Sequence, residues 1–201
     1  MMSLILLAAG ESFRFGSPKA LAEYQGRRII ENLQRTLLAS KLDEIIVVLG
    51  AHCDQIKPHV LNHKKIKVVY NKDHKFGQTS SVKTGLNAIS PTTEATGLLP
   101  VDFPCVKTET IDRLIDVFIK IKPAILIPTC GGKKGHPPFF HNKLTPQFLS
   151  LPDDHGVNTA VRQHVKEIVL LPVSDLGVLL SFNTPEELET IQKSFPTAPE
   201  S

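Results

Sequence analysis

The chain is poor in cysteine: Cys53, Cys105 and Cys130 are the only three in 201 residues. They are odd in number, far apart, and contain no C-x-x-C pair. This argues against a disulfide framework or a zinc site and fits a reducing cytoplasm. Long apolar runs are also missing. The first run, Leu4–Ala9 ahead of Gly10, has no basic flank and is too short for the core of a signal peptide. No stretch approaches a membrane span in length, so a cytoplasmic protein with no membrane partner is expected. Nor does one sign of charge dominate: 23 Lys and Arg face 20 Asp and Glu, a net charge of +3. The basic runs His63-Lys64-Lys65 and Lys133-Lys134 are short and scattered. Nucleic-acid binding leaves a clustered stripe instead, so no nucleic-acid partner is expected, whereas a small anionic ligand suits this balance. Apolar residues at 41% and charged residues at 21% are ordinary globular usage. The length suits one sizeable core and is short for two. A single domain over residues 1–195 is expected, with 196–201 (Pro-Thr-Ala-Pro-Glu-Ser) as a flexible tail.

Short Val-, Ile- and Leu-rich runs recur: Leu4–Ala9, Ile45–Leu49, Ile66–Tyr70, Gly97–Val101, Ala124–Ile127, Ile168–Leu171 and Val178–Phe182. Their brevity and composition predict buried strands. Between them lie segments of helical period. Ile29, Ile30, Leu33, Leu37 and Leu38 make one stripe over Ile29–Leu38, and Ile111, Leu114, Ile115 and Phe118 make another over Thr108–Ile119. Gly77–Ile89 and Thr184–Ile191 are two further expected helices. The second opens on Thr184-Pro185-Glu186-Glu187, a capping residue followed by proline and two acids. Strands alternating with helices predict an α/β fold with a mostly parallel sheet, whose ligands sit beyond the carboxyl ends of the strands.

The residues after the first expected strand read LAAGESFRFGSPKAL, from Leu7 to Leu21. Glycines let backbone N–H groups approach a ligand, and Arg14 and Lys19 can reach phosphate oxygens. Neither familiar phosphate loop is present. The G-x-x-x-x-G-K-[ST] spacing fails at Gly16-Ser17-Pro18-Lys19, and G-x-G-x-x-G does not occur. From the residues alone, a phosphate cradle and a solvated surface loop stand about equal.

Three more stretches carry chemistry. In NKDHKFGQTSSVKTGL (Asn71–Leu86), Gly77 permits a tight turn, and Thr79, Ser80 and Ser81 bring hydroxyls to a helix start. Such an end binds an anion or reads a base edge, or is simply capped by its own hydroxyls. Asp102 follows an apolar run directly and suits Mg²⁺ shared with substrate phosphates, or a turn cap before Pro104. His136, in GGKKGHPPFF, could hydrogen-bond a phosphate or shuttle a proton, or be one structural histidine among eight.

Taken together, these stretches resemble one family. Gly10, Ser12, Arg14, Gly16, Pro18 and Lys19 match L-A-A-G-x-S-x-R-x-G-x-P-K, the signature of nucleotidyltransferases with a Rossmann-like fold. The closest resemblance is to the MobA-like NTP transferase family, in its molybdenum cofactor cytidylyltransferase branch. It implies a three-layer nucleotidyltransferase fold and a nucleotide site at Ala8, Ala9, Gly10, Ser12, Arg14, Gly16, Lys19, Asn71, Gly77, Ser80 and Ser81. It also implies an acceptor site at Gly135, His136, Pro137, Asp154 and Gly156, and Mg²⁺ on Asp102 and Asn183. Arg14, Lys19, Asp102 and His136 would be the catalytic set. Leu7-Ala8-Ala9-Gly10 is similar to the branch that uses CTP, where the GTP-using branch typically reads L-A-G-G.

The reaction implied is attack by an acceptor phosphate, such as that of molybdopterin, on the α-phosphorus of the NTP, releasing pyrophosphate. A molybdoenzyme or its insertion factor would be a natural partner. One departure stands out: the family's closing D-x-D-T-P-E-D reads Ser181-Phe182-Asn183-Thr184-Pro185-Glu186-Glu187 here. Asn183 still offers a hard oxygen donor. Two other readings share the first loop: a cytidylyltransferase for a small phosphorylated alcohol or sugar, and a nucleotide-binding or chaperone-like module without catalysis.

Overall fold

The computed structural model describes residues 1–153 and 155–195, so the expected 196–201 tail lies outside the described residues. In chain order the elements are β1 (Met2–Ala8), β2 (Glu23–Tyr24), β3 (Arg27–Arg28), α1 (Ile29–Ala39), β4 (Glu44–Leu49), α2 (Cys53–Ile56), β5 (Ile66–Tyr70), α3 (Gln78–Leu86) and β6 (Ala95–Pro100). There follow α4 (Thr108–Ile121), β7 (Ile125–Cys130), β8 (Lys133–Lys134), β9 (Phe139–His141), α5 (Thr145–Leu149), α6 (Asn158–Gln163), β10 (Ile168–Pro172) and α7 (Pro185–Ser194).

The main sheet runs in the order β10-β7-β9-β6-β1-β4-β5, with β8 paired to β7. Strands β5, β4, β1 and β6 are parallel neighbours, and β10 is parallel to β7. Only β9 and the two-residue β8 run against this direction. The chain builds outward from β1 to β4 and β5, then returns to place β6 on the other side of β1. That reversal opens a crevice at the carboxyl ends of β1 and β6, where ligands of open α/β sheets bind.

Side-chain alternation along β1 explains the three layers. Leu4, Leu6 and Ala8 face one core with Leu33 and Leu37 of α1, Ile111, Leu114 and Phe118 of α4, and Leu188 and Ile191 of α7. Ile5 and Leu7 face the other, with Val82 and Leu86 of α3, Phe148 of α5 and Ala160 of α6. Burying each large apolar side chain contributes about 1.5–3 kcal/mol, and this two-sided demand explains why the central strands β1 and β4 read as nearly continuous apolar runs. The runs at Ile66–Tyr70 and Ile168–Leu171, expected to be buried, instead form the edge strands β5 and β10, which have no buried residue because each has a neighbour on one side only.

Strand β9 escaped the sequence reading because it is only three residues long. Its two phenylalanines serve opposite cores: Phe139 lies in the first, and Phe140 meets Phe148 edge-on at 4.9 Å in the second. Gly97 makes room for it, since a Cβ there would come within 2.9 Å of the Phe139 ring.

The expected strand at Val178–Phe182 does not form. Leu176–Leu179 is a 3-10 turn, and the chain then runs extended to Asn183. The cause is the buried carboxylate of Asp175. It accepts hydrogen bonds from Gly177 N at 2.9 Å, Lys107 N at 3.0 Å and Thr110 Oγ1 at 2.7 Å, pulling the segment against the start of α4. A Cβ on Gly177 would lie 2.1 Å from the carbonyl oxygen of Cys105, so the approach requires glycine. The run is apolar because Val178 and Phe182 are fully buried, not because it pairs in the sheet.

Candidate functional site

The chain leaves β1 at the carboxyl edge and turns sharply. Phe15 N and Gly16 N donate to the carbonyl of Ser12 at 3.0 and 3.1 Å, with Ser12 at φ 55° and Gly16 at φ 78°. A left-handed serine costs about 1–2 kcal/mol. Its hydroxyl offsets part of that by accepting from Lys19 N at 3.2 Å, which closes the loop. Phe15 then packs edge-on against Phe182, with ring centroids 5.3 Å apart.

Asn183 is held from the other side. Thr184 Oγ1 accepts from Glu187 N at 3.3 Å, and Glu187 Oε2 accepts from Asn183 N at 2.5 Å, a reciprocal cap at the start of α7. The segment arriving from Asp175 and the loop arriving from β1 therefore meet over Asp102, which follows β6.

Four polar side chains converge there. Lys19 Nζ donates to Asp102 Oδ2 at 3.1 Å, Asn183 Oδ1 at 3.1 Å and Phe182 O at 2.7 Å. Arg14 Nη2 donates to Asn183 Oδ1 at 2.9 Å. The ammonium also lies 5.3 Å from the centre of the Phe182 ring. Asp102 Oδ1 is buried and has no hydrogen-bond partner among the described residues. An unpaired carboxylate oxygen beside an amide oxygen is a hard donor set that fits Mg²⁺ or Mn²⁺. Among the described residues no group of three or more His, Cys, Asp or Glu could hold a metal by itself. A cation here would therefore complete its coordination with water or with oxygens from a ligand.

A cavity of about 840 Å³ opens beside this cluster. Ala8, Ala9, Gly10, Ser12, Arg14, Lys19, Gly77, Ser81, Asp102 and Asn183 all line it, ten of the residues the sequence singled out. Gly16, Asn71 and Ser80 do not. Gly16 forms the turn behind the loop. Asn71 is buried beneath the cavity, donating to Ser80 Oγ at 2.9 Å and Ser81 Oγ at 3.0 Å and accepting from Asp73 N at 2.9 Å. Ser80 Oγ donates back to Gly77 O at 2.8 Å. These two residues hold the turn at Gly77, whose φ of 99° suits glycine alone, while Ser81 reaches the wall.

Glu11, His74, Lys75 and Gln78 line the cavity and were missed. His74 Nδ1 lies 3.4 Å from Glu11 Oε1. That is ion-pair distance, but the angle is not that of a hydrogen bond, and His74 Nδ1 has no such partner among the described residues. Glu11 occupies a variable position of the loop motif, and the other three sit inside the quoted Asn71–Leu86 stretch. Only their packing against the first loop reveals them.

The acceptor-side candidates lie outside the cavity lining. His136 stacks on Phe103 at 4.3 Å, and its Nδ1 lies 3.4 Å from Leu98 O. Burial pulls its pKa below the ordinary imidazole value, against the raising influence of the Leu98 carbonyl and of Asp102. Gly135 packs so closely that a Cβ would meet Val178 O at 2.5 Å, and Pro137 follows a cis peptide bond. Gly156 belongs to a loop pinned to α3 through Lys83 to Asp153 at 2.7 Å and Thr79 Oγ1 to His155 O at 2.6 Å. Asp154 lies outside the described residues. No described helix is long and apolar enough to cross a membrane.

A mostly parallel α/β sheet with this loop and carboxylate at its switch point is the fold of nucleotidyltransferases. The MobA-like NTP transferase domain matches residues 4–168, and the chain belongs to that family. Among curated proteins, it is 27% identical over 201 residues to nicotine blue oxidoreductase of Paenarthrobacter nicotinovorans, covering 95% of this chain and 93% of that one. It is 31% identical over 151 residues to a probable molybdenum cofactor guanylyltransferase of Bacillus cereus (strain G9842), covering 73% and 72%. Among solved structures, Rv0371c from Mycobacterium tuberculosis H37Rv superimposes with a TM-score of 0.83 at 22% identity, covering 96% of this chain and 97% of that one. A complex of Rv0371c with manganese also superimposes, with a TM-score of 0.76 at 23% identity, covering 96% and 98%.

Proposed function

We propose that this chain is a divalent-metal-dependent nucleotidyltransferase that moves CMP from CTP to a phosphorylated acceptor of the molybdopterin kind, with release of pyrophosphate. The observation that carries the reading is the meeting of Lys19, Arg14, Asp102 and Asn183 at the mouth of the 840 Å³ cavity. A transfer of this kind needs positioning and neutralisation of charge more than covalent chemistry.

In this reading Arg14, Lys19 and the N–H groups of the Gly10–Lys19 loop grip the β- and γ-phosphates. Asp102 and Asn183 hold Mg²⁺, which when bound neutralises charge on the reacting phosphates. The manganese complex of a structural neighbour supports a divalent metal in this fold. The ribose and base then extend toward Gly77 and Ser81. An acceptor phosphate is already ionised at neutral pH, so no strong base is required. His136 would flank the acceptor and position it.

The methyl of Ala9 is the residue-level support for CTP. The B. cereus relative, by its name a guanylyltransferase, favours GTP as the second reading. One methyl group discriminates modestly, so the two are separated by measurement. Melting temperature is read with CTP, GTP, ATP and UTP, each with and without Mg²⁺, since ligand binding to the native state raises it by mass action. Stabilisation by CTP that needs Mg²⁺ is expected. Stabilisation by GTP alone would move the chain to the guanylyl branch. No response to any nucleotide would remove the reading.

A further inference from the structure

Lys19 Nζ stands 3.1 Å from Asp102 Oδ2 and 3.1 Å from Asn183 Oδ1, the two residues assigned above to a divalent cation. Phe182 O, at 2.7 Å, completes three acceptors for three ammonium protons. The side chain is 13% exposed and that of Asp102 24%, so solvent screens the pair only in part. Held this way, Lys19 has no proton to offer a phosphate, and its charge stands where a metal would have to enter. Two cations a few ångströms apart in a half-buried site repel strongly. The same lysine cannot serve the carboxylate and the triphosphate at once.

We propose that Lys19 is a resident counter-ion that keeps the Asp102–Asn183 site closed to divalent metal until a triphosphate draws the ammonium away. The inference rests on the metal reading given above and adds an order to it: metal enters with the nucleotide and not before. The flexible four-carbon stem lets the ammonium leave Asp102 for phosphate oxygens near the same loop. Departure frees Asp102 Oδ2 beside Oδ1, which already lacks a partner among the described residues. Arg14, the second cation on Asn183 Oδ1, is exposed and free to turn toward phosphate in the same step.

The test is Mn²⁺ binding to the whole chain without nucleotide, read from the free-Mn²⁺ electron paramagnetic resonance signal. Lys19→Met removes the charge at similar length and should bind Mn²⁺ about tenfold more tightly than the wild type. Lys19→Arg keeps the charge and should stay as weak as the wild type. Adding Asp102→Asn to Lys19→Met should cancel the gain. Circular dichroism checks each fold. If Lys19→Met does not fold, Lys19→Gln, whose amide can still donate to Phe182 O, takes its place with the same expectation. Equal Mn²⁺ affinity in the wild type and the neutral variants, with binding still lost on Asp102→Asn, would overturn the closure and leave the metal site standing. If no variant shows Mn²⁺ binding that depends on Asp102 without nucleotide, the closure falls; if none shows it with CTP present either, the metal reading falls with it.

Discussion

Phe182 lies edge-on against Phe15, ring centroids 5.3 Å apart, although 166 residues separate them in the chain. This contact joins the first loop to the segment before α7, and the backbone oxygen of the same Phe182 holds Lys19 at 2.7 Å.

Phe182→Ala should therefore act twice. Deleting a fully buried phenylalanine costs about 3–5 kcal/mol, seen as a large fall in melting temperature. It also releases the shelf that carries Asn183 and Lys19, so nucleotide affinity measured by calorimetry should fall even at temperatures where the variant is folded.

Asp102→Asn should separate chemistry from folding. The change removes the charge of the Lys19 pair; with the amide oxygen kept toward Lys19, the NH2 group takes the place of Oδ1, which has no partner among the described residues in the wild type either. Pyrophosphate release should fall by at least about a hundredfold, while the melting temperature moves little. Retained turnover would remove Asp102 from the reaction.

Arg14→Ala removes an exposed bond to Asn183 and touches no core. Exposed polar contacts contribute about 1 kcal/mol or less to stability, so the melting temperature should hold. Triphosphate affinity should drop about tenfold, with a smaller loss for CMP, which lacks the β- and γ-phosphates.

Two glycines should respond differently to alanine. At Gly16 a Cβ meets nothing within 4 Å, and only the φ of 78° resists, so Gly16→Ala should cost about 1–2 kcal/mol. At Gly177 the Cβ would strike the Cys105 carbonyl oxygen at 2.1 Å, which forces backbone to move, so Gly177→Ala should cost about 3 kcal/mol or more. Urea denaturation of both variants checks the order.

His136 supplies a pH dependence. Burial lowers its folded pKa, so the unfolded chain binds more protons than the folded one once pH drops below the ordinary imidazole value of about 6.5. Stability should fall with acidification through that point and level off below the folded pKa. Above about pH 7.5 both states are neutral at this residue and it contributes no slope. His136→Gln should remove this component, which is at most about 1.4 kcal/mol per pH unit, when unfolding free energies of the two proteins are compared across pH 5–8.

The sequence by itself determined the fold class and named ten of the residues that line the cavity. Buried parallel strands must be apolar on both faces, so the Leu4–Ala9 and Ile45–Leu49 runs announce themselves, and the helical stripes of α1 and α4 follow from burying one face. Ile66–Tyr70 and Ile168–Leu171 read the same way but are edge strands with no buried residue, because which strands end at the edge is set by sheet order. The first loop was legible through the match of Gly10, Ser12, Arg14, Gly16, Pro18 and Lys19 to the family signature, since the residues alone left a cradle and a solvated loop equal. Tertiary structure decided the rest. Val178–Phe182 has the composition of a strand, but Asp175 and Gly177 tie it to α4, a contact that no local period encodes. Glu11, His74, Lys75 and Gln78 become cavity wall only because the β5–α3 connection folds over the first loop. Lys19 looked from its motif like a phosphate ligand alone. Only the convergence of three distant segments revealed that its ammonium already holds Asp102 and Asn183, because a charge in a half-buried site must find every partner within reach.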